Sequence, residues 1–231
     1  LRTVAGTVWV GGQEHFYLEP QACLVDACHG TSGGGRETVV CYSACQNPSR
    51  IQWAIARVLG LHMKDVRCTV PRIGGGFGGK QDRPQLIAAA AAIASRKAGA
   101  PVRVVLEREE DMVITGQRHP FCTRFVAKVD DVAKRIVSLE AEIFADGGFS
   151  VDLSLAVLEV FMFAMDGAYF IDNVSLTGLV CRTSRPSNTA FRGFGKPQGA
   201  ITIEKIFDLC AAALRIRPDD LRMRQVYRSG D

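Results

Sequence analysis

The stretch GGGFGGKQ, residues 74–81, separates a strand-like run, DVRCTVPRI, from a helix-like one, DRPQLIAAAAAIASRKAG. So many glycines sustain neither a helix nor a strand, so this stretch is a loop joining two regular elements. At a strand-to-helix junction, consecutive backbone N–H groups and the helix N-terminus face outward together, which suits a phosphate or another anion. Glycine is required wherever a Cβ would clash with a ligand or forbid the backbone angle.

Spacing alone leaves the ligand open. Gly74, Gly76 and Gly79 fit G-x-G-x-x-G, with Glu107 after the next strand as a ribose partner. Gly74, Gly79 and Lys80 fit G-x-x-x-x-G-K, but Gln81 follows and offers magnesium no hydroxyl. A nucleotide-binding module using the Gly74 loop, or a plain turn, are both readings of these letters. A second glycine-rich element, SNTAFRGFGKPQ, sets Arg192 beside Phe191 and Phe194, around Gly193 and Gly195. It too follows a strand and precedes a helix, and a cation beside aromatic rings suits a planar or anionic group.

The rest of the chain supplies the scaffold. ETVVCYSAC, from Glu37, reads as a strand. QNPSRIQWAIARVLG reads as a helix capped by Asn47, started by Pro48 and stopped by Gly60, with Ile51, Ile55, Val58 and Leu59 on one face. Gln46 therefore sits at another strand-to-helix junction. The helix after the glycine loop is apolar on all sides in its first half and is expected to be buried. PVRVVLE is a strand, and RFVAKV with RIVSLEAEIFA forms a hairpin through DDVAK. LSLAVLEVFMFAM reads as a helix, VSLTGLVCRT as a strand, GAITIEKIFDLCAAALRI as a helix, and Pro218 opens a last short one. Strands and helices mix without regular alternation, which predicts an α+β fold. A boundary near Gly116 predicts two packed, sandwich-like α/β subdomains: residues 1–115 with the glycine loop, and 116–231 with FRGFG.

Composition narrows the partners. Of 231 residues 47% are apolar and 23% charged, and the net charge of +4 is spread among acids and bases. That permits an anionic ligand without a nucleic-acid stripe. LIAAAAAIA is too short to span a bilayer, and the N-terminus lacks a signal-peptide layout, so a soluble protein is expected. The eight cysteines include no C-x-x-C pair, which predicts free, mostly buried thiols of a reducing compartment and no protein-held metal.

Four motifs taken together go further. GGQEHFYLEPQ, GGGFGGKQ, EREEDMVITGQRHPF and CRTSRPSNTAFRGFGKPQ occur in an order that resembles the eukaryotic aldehyde oxidase and xanthine dehydrogenase family, from Gly11 to Asp231. The resemblance implies a molybdenum hydroxylase, whose molybdenum is held by a pterin dithiolene and which inserts oxygen from water into a C–H bond of an aldehyde or N-heterocycle. Electrons then leave through 2Fe-2S clusters and FAD carried elsewhere in the full-length enzyme. By the same resemblance Gln46 hydrogen-bonds an oxo ligand of molybdenum and is the catalytic candidate. Phe77 and Gly78 lie beside the cofactor, Arg192 approaches it, and Phe194 stacks on the substrate ring. The remaining domains of a cytoplasmic, homodimeric parent enzyme are implied partners.

Two positions depart from the xanthine-converting pattern. A glutamate there follows the loop lysine and an arginine lies after DLS, where this chain has Gln81 and Val160. The resemblance therefore favours a broader, aldehyde oxidase-like pocket over a diverged xanthine enzyme. It also places the base glutamate in a later motif that nothing after FRGFG resembles. The chain is thus expected to be an excised region that does not turn over alone.

Overall fold

The computed structural model describes residues 1–28 and 38–229. Its strands are β1 Arg2–Val10, β2 Ala22–Asp26, β3 Val39–Ser43, β4 Val66–Thr69, β5 Val102–Val105, β6 Phe121–Asp130, β7 Arg135–Gly148 and β8 Asn173–Arg182. Its helices are α1 Pro48–Leu59, α2 Pro84–Ala98, α3 Arg108–Ile114, α4 Ser154–Phe163, α5 Lys196–Leu214 and α6 Pro218–Gln225, with a 3-10 turn at Met63–Asp65. Two four-stranded sheets result, ordered β1-β6-β7-β8 and β4-β3-β2-β5, each mixing parallel and antiparallel neighbours. The fold is α+β, as the irregular order of elements predicts.

The chain forms two compact units: residues 1–13, 118–188 and 193–231 in one, 14–117 and 189–192 in the other. Compared with the expected division at residue 115, residues 189–192 group with the earlier half and the first thirteen with the later one. The first thirteen residues go with the second half, because β1 pairs along its whole length with β6, Arg2 with Val129 through Val10 with Phe121. That strand went unread because it lacks a turn signal tying it to a neighbour.

In the first unit β6 and β7 form the predicted hairpin, and β8 returns parallel to β7 through the crossover helix α4 that a parallel pair needs. Alternation along β6 buries Phe121, Phe125, Ala127 and Val129, while Arg124 faces water. Phe121 stacks on Phe161 of α4 at 4.4 Å, and Phe207 of α5 meets Tyr169 at 4.1 Å. Gln225, buried at the end of α6, accepts from the Ile136 N–H at 2.7 Å and donates to the carbonyls of Ile136 and Phe170.

In the second unit α1 and α2 cover the sheet. Asn47 accepts from the Arg50 N–H at 3.2 Å, Pro48 opens α1, and Gly60 closes it in the left-handed conformation. Ile51, Ile55 and Leu59 are buried, but Val58 is exposed and leaves the expected face. The inner side of α2 is Ala88, Ala91, Ala92 and Ser95, small enough to let the helix lie close on the sheet. Leu86 and Ile93 point to solvent, 61% and 51% exposed, which corrects the expectation of a helix buried all round. The strand read from Glu37 begins, among the described residues, at Val39; Glu37 itself lies outside them.

All eight cysteines are free, four buried and four half-buried. Burial pushes the Cys23 thiol up to about 11 and the Cys210 thiol up to about 12. Such thiols stay protonated and unreactive at neutral pH. Alkylation of freshly prepared, denatured chain without reductant is therefore expected to modify eight groups. Recovery of six or fewer would contradict the free-thiol assignment.

Candidate functional site

Most of the residues singled out by sequence meet at the glycine loop of the second unit. Gln46 follows β3 and precedes α1, and its backbone N–H donates to the Lys80 carbonyl at 2.8 Å. Its side-chain oxygen Oε1 accepts from two loop amides, Gly78 at 2.9 Å and Lys80 at 3.2 Å. Two N–H groups aimed at one atom require that atom to be the oxygen. The amide nitrogen Nε2 is left as the outward end, donating to nothing among the described residues. Both donors also polarise the amide, strengthening what its nitrogen offers.

The two ends of the loop are tied down within the protein. The N–H of Gly74 is taken by Glu19, those of Gly78 and Lys80 by Gln46, and those of Gly79 and Gln81 by loop carbonyls. The N–H groups of Gly75, Gly76 and Phe77 have no acceptor among the described residues, so the expected run of consecutive free amides is three residues long, beside the outward Gln46 amide. The loop's glycines are needed for the protein's own packing. A Cβ on Gly76 would lie 2.6 Å from Gln46 Oε1, and one on Gly78, at φ +101°, would lie 2.7 Å from the Ala190 carbonyl oxygen. Between them Phe77 is exposed and holds φ +50°, a left-handed conformation that costs a non-glycine residue about 1 kcal/mol or more.

Lys80 does not face outward as a phosphate-binding lysine would. It is fully buried, 3.0 Å from Glu19 and 4.7 Å above the Tyr17 ring. Burial, the largest effect, pulls its ammonium below the ordinary range against the pull of Glu19. Glu107, the would-be ribose partner, caps α3 in a reciprocal box with Glu110. The nucleotide-binding reading of the Gly74 loop loses both its cation and its carboxylate.

The segment 189–192 completes this unit. The Arg192 N–H donates to the Phe77 carbonyl at 2.8 Å, while its side chain is exposed. Phe191 turns the other way and stacks on His15 at 4.4 Å. Gln81 is half-buried beside the loop, its N–H bonded to Gly78. Gln46, Phe77, Gly78, Gln81 and Arg192 are thus brought together.

Phe194 and Val160 belong to the other unit. Phe194 holds φ +48° and packs half-buried against that unit's core. The next residue, Gly195, begins α5 so close to α4 that a Cβ would lie 2.3 Å from the Val157 carbonyl oxygen. Val160 is half-buried one turn further along α4, while its neighbour Glu159 faces solvent.

Sequence reasoning missed the strap that holds the loop. In HFYLEPQ alternate side chains turn inward: His15, Tyr17 and Gln21 are buried, while Phe16 and Leu18 are exposed. His15 Nε2 lies 2.7 Å from the Ala190 carbonyl oxygen, and the Tyr17 hydroxyl donates to Asp111 at 2.7 Å. Gln21 donates to the Gly79 carbonyl at 3.1 Å. Arg108 donates to the carbonyls of Tyr17 and Leu18. Period-two alternation would have pointed the apolar Phe16 and Leu18 inward, the reverse of what the strap does, so the sequence carried no signal for it.

Among the described residues no helix is long and apolar enough to cross a membrane, and no three His, Cys, Asp or Glu side chains are placed to ligate a metal. Comparison with known proteins adds three findings. Residues 2–226 match the family model described as the molybdopterin cofactor-binding domain. The chain is 46% identical over 221 residues to xanthine dehydrogenase 1 of Arabidopsis thaliana, and 41% identical over 226 to aldehyde oxidase 2 of Cavia porcellus. Those alignments cover 96% and 98% of this chain but only 16% of each relative. The aldehyde oxidoreductase of Desulfovibrio gigas superimposes with a TM-score of 0.83 at 25% identity, over 100% of this chain and 24% of that one.

Proposed function

This chain belongs to the molybdopterin cofactor-binding domain family of the molybdenum hydroxylases, and from that premise we propose that it forms the cofactor-facing part of an enzyme that oxidises aldehydes with oxygen from water. When bound, the molybdenum–pterin group supplies the centre that takes two electrons as an aldehyde and water become a carboxylic acid and two protons. The observation that carries the reading is the Gln46 amide, tied by its oxygen to two loop N–H groups and presenting its nitrogen outward. A neutral, oriented N–H donor suits an oxo or phosphate oxygen, because it needs no reorganisation as charge develops there.

The other residues take the following parts. Phe77, held in a strained conformation, covers the cofactor edge with Gly78 beside it. The exposed Arg192 brings a cation to the cofactor's anionic side. Phe194 gives a flat substrate an aromatic face. Gln81 and Val160 stand at the two sequence positions where the xanthine-converting pattern has the charged pair that grips a purine. The general base, the iron–sulfur clusters and the flavin come from the remainder of a homodimeric cytoplasmic parent, so the chain alone does not turn over.

Steady-state kinetics of the full-length enzyme test the substrate. Xanthine would bury polar edges against valine and an amide, at about 1–3 kcal/mol for each group left unpaired. Aromatic aldehydes are expected to be preferred at least tenfold in kcat/KM, roughly 1.4 kcal/mol in transition-state binding. Gln81→Glu combined with Val160→Arg should move the ratio toward xanthine. Faster turnover of xanthine than of any aldehyde by the unaltered enzyme would support instead a xanthine dehydrogenase-like parent, the reading favoured by the 46% identity to such an enzyme.

A further inference from the structure

We propose that Glu19 is a positioning residue for Gln46, acting through Lys80 and the glycine loop as a buried latch. The inference rests on the cofactor role of Gln46 given above. Glu19 touches no proposed ligand. Its Oε2 accepts from the Gly74 N–H at 2.7 Å and from Lys80 Nζ at 3.0 Å, and its own N–H donates to the Gly74 carbonyl at 3.1 Å. One carboxylate therefore fastens both ends of the loop, Gly74 at its start and Lys80 near its close.

Lys80 passes the constraint on. Its side chain has no exposed surface and lies over the Tyr17 ring, so the ammonium has little freedom to leave Glu19. Its backbone grips Gln46 twice, the N–H on Oε1 and the carbonyl on the Gln46 N–H. Without Glu19 the loop loses its anchor at Gly74, the buried Lys80 ammonium loses its ion-pair partner and keeps only the more distant pull of Asp111, and the two N–H groups that orient the Gln46 amide are free to drift. Burial pushes the Glu19 carboxyl up, but the Gly74 N–H and the Lys80 ammonium outweigh it and hold it below its ordinary value. The carboxylate is therefore charged at neutral pH, as the latch requires.

The test uses the full-length holoenzyme. Molybdenum analysis of the unaltered protein comes first; finding no molybdenum would remove the cofactor reading, whatever Glu19 does. Given molybdenum, Glu19→Ala is expected to lower kcat per bound molybdenum roughly tenfold, the usual scale for an outer-shell partner, with KM unchanged. In a Gln46→Ala background the same substitution should cost less than twofold, because its effect travels through Gln46. Hydrogen exchange of the peptide covering residues 72–81 should quicken at least tenfold in Glu19→Ala, independently of turnover. If Glu19→Ala does not fold, Glu19→Gln, which keeps an acceptor but no charge, should give a two- to threefold loss with the same non-additivity. Unchanged exchange, or losses that multiply across the Gln46→Ala background, would overturn the latch.

Discussion

Gly78→Ala in the full-length enzyme is expected to cost roughly 2–5 kcal/mol of stability and more than half of the bound molybdenum. The stability term has two sources. At φ +101° an L side chain is strained, worth about 1–2 kcal/mol. The new methyl would also lie 2.7 Å from the Ala190 carbonyl oxygen and 3.0 Å from the Phe191 nitrogen, and overpacking against backbone adds about 1–3 kcal/mol. The cofactor term follows because the Gly78 N–H is one of the two donors that orient Gln46, and Phe77 next to it hands its carbonyl to Arg192. Thermal denaturation and molybdenum analysis of the same preparation separate the two effects. Full metal content at unchanged melting temperature would make Gly78 a turn residue only.

The second large effect falls on chemistry rather than folding. Gln46→Ala is expected to lower kcat per molybdenum about a hundredfold, the scale for losing one preorganised donor at a site of developing charge. Gln46→Glu sharpens the point. Its carboxylate keeps the length of the side chain and still accepts from the Gly78 and Lys80 N–H groups, but has no N–H to donate. A comparable loss in Gln46→Glu would assign the effect to the donated hydrogen. Activity in Gln46→Glu near that of the unaltered enzyme would refute a donor role. Gln46→Glu keeps both acceptor bonds and should move the melting temperature by no more than about a degree or two, whereas Gln46→Ala leaves the Gly78 and Lys80 N–H groups without their acceptor and should lower it by roughly 2–4 °C.

What was legible in the sequence divides along physical lines. The α1 helix was read almost residue by residue because its cap, its first-turn proline and its terminal glycine are local signals. The β6–β7 hairpin was equally plain, since its two alternating strands are joined by a short polar turn. The outward placement of Leu86 and Ile93 was not legible, because an alanine-rich helix buries its small side when that side packs closely, and composition does not say which side that is. Nor was α3, seven residues long and rich in acids. At the site, Gln46 and the glycine loop were found as motifs, yet which loop amides are engaged within the protein was not legible. Glu19 and Gln46, distant in sequence, accept from those of Gly74, Gly78 and Lys80. The inward lysine is of the same kind. Only the position of Glu19, sixty-one residues away, distinguishes it from a phosphate-binding one.

The pairing of β1 with β6 has a consequence for how the chain is made. Val10 is synthesised 111 residues before its partner Phe121. At ribosomal speeds of about 5–20 residues per second that interval is roughly 5–20 s. For all that time the strand carrying Val8 and the exposed Trp9 waits for the neighbour it has among the described residues, while residues 14–117 are being completed behind it. The other unit waits too, since residues 189–192 arrive only after most of its neighbour has emerged. Nascent chains of this kind present an unpaired strand edge early, and residues 2–10 are where an intervening chaperone, or premature association between nascent copies, has its opportunity.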